Sequence, residues 1–247
     1  MGKQTDLYNM IETYAERHQL TNTKIALPLA KSILERDLRQ VFSSENSEKT
    51  LFEHCMHSTK MLIDLHLILS TDELDLTLAS MLCHDVLHKM NFAQGSYELV
   101  HTHHLDSRVI EIVTLVNKPA AIREEDIQAY YDGIKMDKLA VLVALAHRCI
   151  LVEELSNLSI TEVNNFIYEM RKYCLPMCVY AKQHYRNSQM SINIMMEKIR
   201  CLLDVADIIS SRYQKRELAY TTEILSLMEE NARLRGMIRQ LAIGEIY

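Results

Sequence analysis

The stretch Cys83-His84-Asp85-Val86-Leu87-His88 sets an adjacent His-Asp pair in an apolar segment whose periodicity predicts a helix over 73–89. Adjacent residues on an α-helix point about 100° apart, so His84 and Asp85 reach one ion only if it sits against that helix between them. His54 lies 30 residues before His84 and His147 lies 62 residues after Asp85, each on a further apolar segment with helical patterning. Three imidazoles and one carboxylate suit Mn, Fe or Zn better than Mg, which prefers oxygen ligands. A metal that activates water at neutral pH needs such ligands with positions left open. The spacing therefore nominates His54, His84, Asp85 and His147 as metal ligands and points to phosphohydrolase chemistry. The competing reading gives four of these polar residues unrelated core roles and no metal at all, because the chain has eleven His.

Working outward, the predicted helices cover 4–20, 27–42, 48–69, 105–117, 136–155 and 160–186, the last interrupted near Pro176. Gly95 marks a loop, Gly133 a break, and Lys118-Pro119 a helix end, because proline disfavours helix at the residue before it. Thr71-Asp72-Glu73 reads as a turn and cap, and residues 43–47 as a loop that offers another cap. Gly (5) and Pro (3) are scarce among 247 residues, which favours an all-α chain. Apolar residues at 48% and charged residues at 24% are ordinary for a globular protein with a sizeable core. The net charge of −6 argues against nucleic acid and anionic membrane surfaces as partners. No apolar run reaches the roughly 18 residues of a membrane span. The six Cys form no CxxC pair, and without a signal peptide they read as reduced core thiols of a cytoplasmic protein. His57, His66, His101, His103, His104 and His184 read as surface or satisfied polar residues.

From 189 to 243 few breakers occur, so a long C-terminal helix is predicted, dividing the chain into a helical domain at 1–188 and a helix at 189–247. Tyr220, Ile224, Leu227, Asn231, Leu234, Ile238 and Leu241 recur with spacing 4-3-4-3-4-3, a short coiled-coil segment over about 220–241. Ile at a, Leu at d and one Asn at a central a position favour a parallel two-stranded dimer. Packing of the same face on the chain's own body is the alternative. The basic residues Arg212, Lys215 and Arg216 are too few for a basic leucine zipper.

The order of these segments resembles the HD superfamily of metal-dependent phosphohydrolases, and more narrowly the hydrolase domain of RelA/SpoT alarmone enzymes, over about residues 25–186. Phe52-Glu53-His54-Cys55 resembles the helix with the first His ligand, where the family usually has Pro after the His. Leu82–Leu87 resembles its L-L-H-D-V-V/I segment, Ile112–Lys118 the segment after the His-Asp helix, and Tyr130-Tyr131-Asp132 through Lys138 the turn before the last metal helix. Val143–Arg148 resembles I-K-L-A-D-R, and Phe166–Glu169 through Leu175-Pro176-Met177 the helix after it. The resemblance implies an HD-domain helical bundle, a divalent metal, and hydrolysis of a nucleotide or other phosphorylated small molecule, with guanosine polyphosphate (ppGpp) 3′-pyrophosphohydrolase as its narrowest form.

Departures accompany it. His88 and Lys89 stand where the family has the acidic pair that positions and activates water; His147 replaces its final metal Asp; Leu151 replaces its Asn and Ala144 its Lys. His88 is the candidate base, since imidazole titrates near neutrality, and Lys89 a candidate for phosphate charge. Arg148 and Lys49 are the candidate substrate-binding cations. Two functions follow: a phosphohydrolase-like protein resembling the alarmone hydrolases, or a catalytically degenerate HD domain acting as a nucleotide-sensing or protein-binding module that homodimerises through Ile224, Leu227, Asn231, Leu234, Ile238 and Leu241.

Overall fold

The computed structural model describes residues 2–35, 50–90, 92–118, 123–153, 155 and 159–244, with the side chains of 2–4, His88, Phe92, Glu217, Ala219 and 231–244 outside that description. Lys49 and the end of the helix predicted over 27–42 also lie outside it. The described residues are helical with no β-strand: α1 Gly2–Arg17, α2 Thr21–Leu34, α3 Leu51–Asp64, α4 Thr71–Lys89, α5 Phe92–His101, α6 Ser107–Val116, α7 Glu124–Lys135, α8 Lys138–Glu153, α9 Ile160–Glu169, α10 Leu175–His184 and α11 Gln189–Gly244. The all-α class and the long C-terminal helix are as the sequence predicts. Among the described residues no helix is long and apolar enough to cross a membrane.

Contacts divide the chain into two units, Met1–Asp204 and Val205–Tyr247. In the first, α4 packs against α2, α3, α6 and α8, and α8 in turn against α3, α6 and α7. Both helices are enclosed on nearly every side. Leu78, Met81, Leu82, Val86 and Leu87 of α4 are at most 1% exposed. Every residue of α8 from Leu139 to Val152 except His147 is buried. A nearly all-apolar helix such as α8 belongs in a core, and α4 joins it there through its buried apolar residues from Leu78 to Leu87. The first residues of α11 join this unit, with Ile192, Met195, Ile199 and Leu203 buried. The second unit is the remainder of α11, whose described side chains from 211 to 230 are exposed.

Local signals start several helices. Thr50 and Glu53 form a capping box on α3, Ser70 and Glu73 on α4, and Ser159 and Glu162 on α9. The cap of α4 is therefore Ser70, and Thr71 is already helical. Helix α2 starts six residues before the predicted 27, and its N-cap Leu20 has no capping side chain. Asp75 of α4 caps it from across the bundle: Oδ1 accepts from the Thr23 backbone N–H at 2.7 Å and its hydroxyl at 2.8 Å, and Oδ2 from the Asn22 N–H at 2.8 Å. Asn22 Oδ1 accepts in turn from the Asp106 N–H at 2.8 Å, where α6 begins.

Two glycines expected to break helices lie inside them. Gly95 sits in α5, where a Cβ would meet Met90 Cβ at 2.9 Å and Leu87 Cδ2 at 3.1 Å, so it serves a close approach to the end of α4 and not a loop. Gly133 sits in α7, which places Tyr130-Tyr131-Asp132 on a helix and confines the turn before α8 to Met136 and Asp137. The interruption near Pro176 is a π-helical turn, Met170–Cys174, joining α9 to α10.

Asp75→Ala leaves the first N–H groups of α2 unsatisfied in a buried setting. It is expected to lower stability by about 1–3 kcal/mol in urea unfolding, whereas Ile68→Ala, at a site 70% exposed, should stay within about 0.5 kcal/mol.

Candidate functional site

Three helices meet at one cluster of polar side chains in the core. His54 comes from α3, His84 and Asp85 from α4, and His147 from α8. The His54 and His147 ring centroids are 4.9 Å apart and nearly edge-on, and those of His84 and His147 are 4.5 Å apart. His54 is 1% exposed and His84 4%. His147 is half-buried, and the Asp85 side chain retains 13% exposure, so these two reach solvent. Asp85 Oδ1 is 3.2 Å from His84 Nδ1, and its Oδ2 accepts from the Cys55 thiol at 3.3 Å. Burial alone would push the Asp85 carboxyl up; His84, His54 and the Cys55 thiol outweigh it and hold the group well below the usual carboxylate range.

The donor types fit the metal that the spacing implies: three imidazoles and a carboxylate from three rigid helices, the set that Mn, Fe or Zn accepts. Asp85 is directed onto His84 and Cys55, and among the described residues no three His, Cys, Asp or Glu side chains are set to hold an ion as they stand.

Cys55 is the member that sequence reasoning missed. Its signal was its place directly after the candidate ligand His54; the contact to Asp85 becomes visible only once α3 and α4 are paired.

His88 lies four residues beyond His84 in α4, with its side chain outside the description, and Lys89 is the exposed last residue of α4. Arg148 is placed in a buried network of its own. It is 8% exposed and donates to Tyr130 Oη at 3.3 Å, while Tyr130 donates to the Val116 carbonyl at 2.7 Å. Tyr131 donates to Glu169 Oε1 at 2.9 Å, and Lys118 pairs with the same carboxylate. Burial disfavours the Arg148 charge, while its tyrosine and Glu169 surroundings favour it. The six His read as surface groups are so placed: His57, His66, His101, His104 and His184 are exposed and His103 is half-buried, 3.8 Å from Glu98. The five Cys from 55 to 178 are buried, Cys201 is exposed, and none forms a disulfide.

Compared with known proteins, the sequence matches no protein-family model and no curated protein.

Burial raises the Glu169 carboxyl, while Arg148, Lys118 and Tyr131 lower it further, leaving it below its ordinary value. Its stabilising contribution is present above the unfolded carboxylate range, about pH 4.3, and is lost as pH falls through the folded value. Glu169→Gln should cost about 3 kcal/mol at neutral pH and make stability fall less steeply below about pH 4.3, read from denaturant midpoints across a pH series.

Proposed function

We propose that the chain is an HD-superfamily, phosphohydrolase-like protein whose His54–His84–Asp85–His147 cluster takes a divalent metal and acts on a nucleotide or another phosphorylated small molecule. One observation carries this reading: four residues spread over nearly a hundred positions, chosen for their ligand chemistry, meet between α3, α4 and α8. A core tolerates such a cluster only at a cost, and buried titratable groups so gathered mark functional sites. When bound, Mn, Fe or Zn supplies a Lewis acid and a water of lowered pKa. The chain's own part is to position phosphate and move a proton. Lys89, exposed at the end of α4, meets phosphate charge. His88, one turn after His84, takes the proton in place of the absent acidic pair. Hydrolysis of guanosine polyphosphate is the narrow form of the proposal.

A second reading has its own support. Asp85 rests on His84 and Cys55, and Arg148 is engaged with Tyr130. Both suit a degenerate domain that binds a nucleotide or a protein without turnover.

Metal content of untagged protein purified without added metal separates the two. About one Mn, Fe or Zn per chain in the wild type and none in His84→Ala is the expected result, followed by phosphate release from a nucleotide panel that falls about 10²–10⁴-fold in His88→Ala. No metal in the wild type, and none taken up on titration, removes the hydrolase reading and leaves the binding module.

A further inference from the structure

The second unit presents an apolar stripe that nothing in its own helix covers. Tyr220, Ile224 and Leu227 are 64%, 56% and 62% exposed, with Leu225 and Met228 beside them at 56% and 64%. A helix exposed on all sides derives little stability from propensity alone and is held by burying an apolar face. The three stripe residues occupy d, a and d of a heptad pattern that continues through Asn231 to Leu241.

We propose that this stripe pairs with a second copy of the same chain, as a parallel, in-register, two-stranded coiled coil over about residues 220–241. The reading is independent of any chemistry at the histidine cluster. Its partner is identified by self-complementarity. With Ile224 at a, Glu230 falls at g and Arg235 at the following e. In a parallel pair the g residue of one helix faces the next e of the other, so Glu230 meets Arg235 of the second copy, twice by symmetry. Glu223 at g meets Met228 at e, so no like charges oppose. Asn231 at a then lies opposite Asn231, where each amide finds a partner. An antiparallel pair centred on this segment sets a against d instead and puts the Asn231 amide against a leucine, with its hydrogen bonds unmade. The amide and the charge pair thus select the same orientation and register.

Light scattering of the full chain over a wide concentration range tests this. The expected mass is twice the chain's 28.7 kDa, and Leu227→Glu combined with Asn231→Glu should give single chains with the helical signal and thermal midpoint of the body retained. Glu230→Lys should weaken the dimer, and adding Arg235→Glu should restore it. In a Cys201→Ser background, Leu241→Cys should oxidise to a covalent dimer, since parallel strands place the two thiols opposite one another. A single-chain mass at every concentration, or a dimer unmoved by the double glutamate variant, overturns the proposal. A dimer that Leu241→Cys fails to link overturns the parallel orientation on which it stands.

Discussion

Enclosing His84 and Asp85 within α4 is the constraint on which the core depends. Leu82 and Val86 on the same helix are fully buried, so the pair cannot turn to bulk solvent without moving the helix from its neighbours. A charged or polar group taken out of water costs several kcal/mol unless its partners are supplied. The partners come from α3 and α8: Cys55 donates to Asp85, and the His147 ring lies against both His54 and His84. Helix α8, apolar from Leu139 to Val152 except for His147 and Arg148, gives up the first of these positions to this cluster. The cluster and the core are therefore one object, and the arrangement of α3, α4 and α8 is also the arrangement of the candidate ligands.

A second buried polar network balances the first. Arg148 follows His147 in α8 and donates to Tyr130 of α7, while Tyr131 donates to Glu169 of α9, with which Lys118 also pairs. Consecutive residues of one helix thus serve two buried networks, one reaching solvent through His147 and Asp85, the other tying α7 to α8 and to α9.

Much of this was legible in the sequence: the amphipathic helix bearing His54 from its periodicity, the enclosed helices bearing His84 and His147 from long apolar runs free of Gly and Pro, and the four candidate ligands from their chemistry and order. Long-range contacts were not legible. The early start of α2 rests on caps from Asp75, more than fifty residues away, which no local pattern signals. Gly95 and Gly133 carry the local signature of breaks, yet both lie inside helices; at Gly95 the glycine is needed because α5 approaches Met90 too closely for a Cβ. Cys55 looked like a core thiol until the pairing of α3 and α4 brought it to Asp85. The hydrogen bond from Arg148 to Tyr130 was likewise not legible, since it depends on how α7 packs against α8.

The central claim is that these three helices gather a metal-ligand set. X-ray absorption at the zinc edge, on protein loaded with one Zn and freed of excess by gel filtration, tests it most directly. The account predicts a first shell of nitrogen and oxygen with outer-shell scattering from about three imidazoles, and a smaller imidazole contribution in His147→Ala. Zinc that washes away, or a spectrum unchanged by His147→Ala, would contradict it.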